Sequence, residues 1–204
     1  GGGGTGVITP VGKTQTFTKI TPGAVAIVKN FDAETGVKEI EISVSNEAQN
    51  VKITVTKYDS KPAVVSVSKT GKVYQYLQIN AQNLDNKLEK AKTTFKVEKT
   101  WASTNGVAKE NVVVSKFDEA SSQWNELATT YSSEDDTYYY YTTELSSFSY
   151  FAISEKAVEA EEDEGIGAVF GEEGKGIPVW VWVVVGLIIL AIVVGGGAAY
   201  KKRK

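Results

Sequence analysis

From Gly176 to Tyr200 the chain carries no charged residue, and within that stretch Ile177 to Val194 is almost wholly apolar. About 20 such residues in an α-helix span the ~30 Å hydrocarbon core of a bilayer. No polar face interrupts the run, as it would in a helix lying on the surface of a soluble core. Pro178 suits the first turn, where its missing N–H costs nothing. Trp180 and Trp182 stand at one end and Tyr200 at the other, where amphipathic rings favour the headgroup level. The sequence thus predicts a single transmembrane helix over residues 177–200.

Its flanks give the orientation. Lys201, Lys202, Arg203 and Lys204 form a basic cluster on one side, and residues 158–176 are rich in Glu and Asp on the other. The positive-inside rule places the tail, residues 201–204, in the cytoplasm and everything before the helix outside. The acidic stretch reads as a solvated, self-repelling spacer. With the spacer and the tail set aside, the rest of the chain is close to neutral and has no basic stripe, which argues against a nucleic-acid partner.

The sequence contains no Met, so it is expected to be a fragment or a processed product of a longer protein. Residues 1–6 are Gly-rich and read as the remnant of a flexible linker to upstream domains of the same polypeptide. Cys and His are absent as well. That removes disulfides, thiolate nucleophiles, imidazole bases and nearly all zinc or copper sites, and no cofactor is expected. Stability must come from a buried core, for which residues 7–157 are long enough as one domain.

Residues 7–157 read as β throughout. Ile40, Ile42 and Val44 alternate with polar residues, as do Val51, Ile53 and Val55, and the polar segment Ser45 to Asn50 lies between them. This pattern predicts a hairpin with one buried face. Further strands are expected at Thr14 to Phe17, Ala24 to Lys29, Val64 to Ser68, Val73 to Asn80, Thr93 to Lys99, Val112 to Phe117, Gln123 to Tyr131, Thr137 to Thr143 and Ser149 to Ser154. Turns are expected between them, including Ser132 to Asp136. Helical spacing occurs at Leu84, Leu88 and Ala91, and one helical turn fits Ala102 to Asn105 before Gly106. Many short strands at near-regular spacing predict an all-β, Ig-like antiparallel β-sandwich.

Candidate sites are few. The run Tyr138-Tyr139-Tyr140-Tyr141 in a strand puts alternate rings on opposite faces, so one pair leaves the core. Tyr139 and Tyr141 are the candidate recognition surface for a glycan or protein, against the plainer expectation that the outer pair packs under a loop or edge. Glu134, Asp135 and Asp136 are the candidate calcium ligands, although a solvated turn accounts for them more simply because calcium needs six to eight oxygens. Trp101 and Trp124 are expected in the core of the sheets. No Asn satisfies the N-glycosylation pattern, and no Gly-x-Ser-x-Gly or P-loop pattern offers a nucleophile or a phosphate cradle. The chain is therefore not expected to be an enzyme.

Four blocks in order carry a family likeness: Val73 to Asn80, Phe95 to Trp101, Trp124 to Leu127, and Phe148 to Ile153. Together they resemble the PGF-pre-PGF domain found near the C-termini of archaeal cell-surface proteins. The resemblance implies an archaeal envelope location and upstream repeat, adhesive or enzymatic domains, and it implies no catalytic residues. The family often carries a Pro-Gly-Phe triplet before a removable helix, whereas Gly176-Ile177-Pro178 stands here, so the helix is expected to be retained. The expected role is a non-enzymatic stalk and anchor whose partners are the lipid bilayer, the upstream domains and surface-layer or other envelope proteins. The alternatives are an adhesion module or a unit of surface-layer assembly through exposed sheet edges.

Overall fold

The computed structural model describes residues 10–157, and they form a β-sandwich of two antiparallel sheets. The chain order is β1 (Val11–Ile20), β2 (Ala26–Phe31), a four-residue helix α1 (Asp32–Thr35), β3 (Val37–Val44), β4 (Ala48–Tyr58), β5 (Val73–Gln82), β6 (Leu88–Glu98), helix α2 (Lys99–Asn105), β7 (Val112–Asp118), β8 (Gln123–Glu126), β9 (Thr129–Glu134), β10 (Tyr138–Leu145) and β11 (Tyr150–Glu155). One sheet has the order β1-β4-β5-β11-β7-β8, the other β2-β3-β6-β10-β9. Each strand turns one set of alternate residues inward. Ile40, Ile42, Val51, Ile53, Val55, Leu77, Ile79, Phe95, Val97, Phe151 and Ile153 fill the space between the sheets and are almost fully buried.

Most of the expected strands are present, but their pairing differs in one place. β3 and β4 are not a hairpin. β3 pairs with β2 and β6, β4 pairs with β1 and β5, and Ser45 to Glu47 carries the chain from one sheet to the other. A hairpin and a sheet-to-sheet arch both give each strand one buried face, so the alternation is the same for either. The expected strand Gln123 to Tyr131 divides for a related reason. It breaks at Leu127-Ala128, where the chain leaves β8 in the first sheet and enters β9 in the second. Thr129 holds this step: its hydroxyl donates to the Leu127 carbonyl at 2.9 Å and accepts from the Val114 amide at 3.0 Å.

The helical spacing of Leu84, Leu88 and Ala91 does not form a helix. Leu84 lies in the turn after β5, while Leu88 and Ala91 belong to β6. Val44 pairs with Leu88 and Ser43 with Lys90, which leaves Glu89 as an extra residue in a bulge. That bulge brings two residues three apart in sequence to the same face. By contrast, the helical turn expected before Gly106 is there as α2, and Gly106 closes it at φ 64 in the left-handed region that favours glycine.

Val64 to Ser68 is not a strand either. Residues 59–72 join β4 to β5 as a long strap laid across the outer face of the six-stranded sheet. Val65 is completely buried beneath it while Val64 is 68% exposed. The Trp124 indole N–H, on β8, donates to the Val67 carbonyl at 2.9 Å, and Lys69 Nζ reaches Glu126 at 3.0 Å with its side chain only 4% exposed. Val113, Phe117 and Ala152 face outward on this sheet yet are buried, forming a second, smaller core under the strap.

The strand directions place both ends of the sandwich together. Val11 pairs with Lys57, Lys57 with Leu77, and Leu77 with Phe151. β1 starts at that level and runs away from it, while β11 runs past it in the other direction to Glu155. Chain entry and exit therefore lie at one end of the sheet, three strand spacings or ~14 Å apart across it. The exit is pinned by the Glu155 amide on the Lys72 carbonyl at 2.8 Å and the Lys156 amide on the Asn111 carbonyl at 2.7 Å.

Candidate functional site

The tyrosine run occupies the first half of β10, between β6 and β9, and the pleat divides it as the alternation requires. The inward and outward pairs are now assigned. Tyr141 points into the core at 1% exposure, and Tyr139 is half-buried against the same core. The Tyr141 hydroxyl donates to the Lys109 carbonyl at 2.9 Å, and its ring meets Tyr131 edge-on at 6.0 Å between centroids. Burial comes first among the causes that push its phenol pKa far above the usual value. Tyr139 and Tyr141 are thus packing residues, which corrects the expectation that they form a recognition surface.

The outward pair is Tyr138 and Tyr140, with their rings half-exposed on the five-stranded sheet. Lysines from β6 and β3 of the same sheet cover their faces. Lys96 Nζ stands 4.3 Å from the Tyr138 centroid and Lys38 Nζ 4.0 Å from that of Tyr140. Lys38 reaches this position from a bulge, since Val37 pairs with Phe95 but Glu39 pairs with the adjacent Thr94. A ring whose face holds an ammonium group offers no open platform on which a sugar could stack. The rest of this outer face is a lattice of exposed ion pairs: Lys29 with Glu39 at 3.6 Å, Lys92 with Glu41 at 3.3 Å and Lys90 with Glu144 at 3.8 Å. Such pairs stabilise little individually.

The acidic candidates lie at the turn that opens β10. β9 extends to Glu134, so the turn is shorter than Ser132 to Asp136. Asp135 is committed to the turn itself. Its Oδ1 accepts from the Thr137 amide at 2.8 Å and the Tyr138 amide at 2.7 Å, and its Oδ2 accepts from the Tyr140 hydroxyl. The Tyr140 hydroxyl first, and then the two amides, hold the Asp135 pKa down at about 2. The same hydrogen bond pushes Tyr140 up to about 12. Glu134 faces elsewhere, 3.6 Å from Lys99. Glu134, Asp135 and Asp136 are not brought together, and among the described residues no group of three acidic side chains could hold a metal ion.

The two tryptophans are not in the sheet interior. Trp101 sits on α2, half-buried and edge-on to Tyr74 at 5.1 Å. Burial pushes Tyr74 up to about 12. Trp124 sits on the edge strand β8, where it closes the strap over Phe117 at 5.2 Å and Tyr76 at 5.9 Å. A tryptophan with one ring face packed and its N–H on a backbone carbonyl is a clamp rather than a core residue. The strap also holds the ion pair missed in the sequence. Burial works against the Glu126 carboxylate, but the Ala157 amide at 3.0 Å and the Lys69 ammonium outweigh it and keep its pKa below the usual value.

No protein-family model matches the chain, and no curated protein does. Among the described residues no helix is long and apolar enough to cross a membrane. Trp180, Trp182, Tyr200 and the basic cluster Lys201, Lys202, Arg203 and Lys204 lie outside the described residues, as do the Gly-rich stretch and the acidic spacer.

Proposed function

We propose that the chain is a non-enzymatic, membrane-anchored surface module: an Ig-like sandwich outside the cell, an acidic spacer, one helix over residues 177–200 and a basic cytoplasmic tail. The observation that carries this reading is the charge-free run from Gly176 to Tyr200 set between acidic and basic flanks. The resemblance to the PGF-pre-PGF domain points the same way and implies an archaeal envelope location beneath upstream domains.

The strand order refines the mechanical role. A sandwich that spaced its neighbours in line would receive the chain at one end and release it at the other, about 30 Å away for ten-residue strands. Here entry and exit share an end, so the sandwich itself adds little length between the residues that enter it and those that leave it, and its role is that of an anchor. The reach of the upstream domains comes from the Gly-rich linker and the acidic spacer instead. Lateral assembly through the β2 edge is disfavoured, because the Gln15 side chain already donates to the Ile27 carbonyl at 3.0 Å and accepts from the Lys29 amide at 3.3 Å.

Membrane fractionation tests the anchor. The full chain is expected to stay in the membrane pellet through an alkaline carbonate wash, and deletion of residues 177–200 is expected to release it. A full chain that washes off would refute the anchor.

A further inference from the structure

The two outer faces of the sandwich differ in chemistry. The five-stranded sheet shows the ion-pair lattice described above. The β1-β4-β5 part of the other sheet shows mainly hydroxyls and amides instead, with Lys52 as its charged residue in the row of Thr16 and Gln82. Pairing sets Thr14, Thr54 and Asn80 in one row, and Gly12, Thr56, Gln78 and Tyr150 in the next. Thr14 and Thr54 are hydrogen-bonded at 2.9 Å, and the Tyr58 hydroxyl donates to Gln78 Oε1 at 3.1 Å. Tyr58 and Tyr150 stand side by side with centroids 6.2 Å apart.

This face opens into a cleft because the sheet is incomplete there. β11 begins at Tyr150, opposite Gln78, so on the side away from β4 no strand lies beside β5 from Asn80 onward. The gap is a cleft of about 570 Å³ whose polar lining includes Gln78, Asn80, Asn86, Ser149, Asp85 and Glu119. Among the described residues the Gln78 amide N–H2 group and the Asn80 side chain make no hydrogen bond within the protein. No lysine lines the cleft, although Lys116 is close enough to donate to Ser147 at its rim.

We infer that this cleft and the adjoining tyrosine pair bind a neutral oligosaccharide. The chemistry matches such a ligand on three counts. Amides supply both donors and acceptors for sugar hydroxyls, Asp85 and Glu119 supply strong acceptors, and Tyr58 with Tyr150 supplies an apolar surface for the C–H face of a pyranose. An anionic polymer finds two carboxylates and no lining cation. The site lies on the opposite sheet from the tyrosine run, and it gives the module an activity independent of its anchoring.

The test uses the full chain in a zwitterionic detergent, since a glycoside detergent would compete. Neutral hexasaccharides of α- and β-linked glucose, mannose and N-acetylglucosamine are titrated calorimetrically, with a sulfated oligosaccharide alongside. At least one neutral oligosaccharide is expected to bind and the sulfated one not to. Tyr150→Ala is expected to weaken binding about tenfold or more, and Asn80→Ala, at an exposed position where folding is not at stake, about threefold or more. Tyr140→Ala on the other sheet is expected to leave binding unchanged. The inference is overturned if no neutral oligosaccharide binds at millimolar concentration, if the sulfated one binds better, or if Asn80→Ala leaves the affinity as it was.

Discussion

Four consecutive tyrosines differ only in which way the pleat turns them, so replacing them one at a time isolates the face assignment from composition. Tyr141→Ala removes a ring with 1% exposure from between the sheets. Loss of a buried aromatic costs about 3 to 5 kcal/mol through burial and residual cavity, and the hydrogen bond to Lys109 adds about 1 kcal/mol. Tyr141→Phe removes the hydrogen bond alone and should cost about 1 kcal/mol. Tyr138→Ala loses a half-exposed ring and its contact with Lys96, for about 1 kcal/mol or less. The assay is urea denaturation of the isolated sandwich. With a slope of about 2 kcal/mol per molar, Tyr141→Ala moves the midpoint down by about 2 M, while Tyr138→Ala moves it by about 0.5 M or less. Against a total stability of about 5 to 15 kcal/mol, the first variant is close to failing and the second is barely affected. Equal shifts at Tyr138 and Tyr141, or a larger one at Tyr138, would refute the inward and outward assignment.

Three further outcomes follow from the structure. The phenols of Tyr74 and Tyr140 are raised to about 12 and that of Tyr141 further, so they stay neutral in the fold while the unfolded chain ionises near 10. Their contribution is complete below pH ~10 and is lost as pH rises through about 12, which denaturation midpoints across that window, followed with phenolate absorbance, will show. At the acid end the order reverses, because Asp135 is lowered to about 2: its contribution holds above pH ~4 and is lost as pH falls through about 2. Under the strap, Glu126→Gln leaves the Lys69 ammonium buried without its carboxylate and should cost about 2 to 3 kcal/mol, whereas Lys69→Met removes the charge and should cost less. Limited thermolysin digestion at the strap valines, Val64 to Val67, reports strap opening, and easier cleavage in Lys69→Met than in Glu126→Gln would contradict the reading.

Strand content was legible in the sequence because alternation is a local property, and Ile40, Ile42, Val51 and Ile53 announce it directly. Strand partnership was not, because the periodicity of β3 and β4 is the same whether they pair or face each other across a core. Leu88 and Ala91 misled because a bulge, which leaves no fixed sequence mark, restores a shared face to residues three apart. The strap was invisible for another reason. Val64 to Ser68 has strand-forming residues, but the segment is used as a cover whose only buried apolar side chain between Val64 and Ser68 is Val65. At the tyrosine run, the sequence required one pair to leave the core and could not choose which. The choice depends on register with β6, where Tyr141 falls opposite the inward Phe95. The cleft beside β5 had no sequence signal at all, since it arises from where β11 begins.

The anchor and its orientation are tested most directly by sidedness of labelling. The chain contains no Cys, so a single introduced thiol is an unambiguous reporter. Ala24→Cys places one at an exposed turn of the sandwich, and Lys204→Cys places one in the basic tail. Intact cells expressing the full chain are treated with a membrane-impermeant maleimide, with and without prior permeabilisation. Labelling at position 24 in intact cells, with labelling at position 204 only after permeabilisation, is the result the account predicts. Labelling of position 204 in intact cells, or protection of position 24, would contradict it.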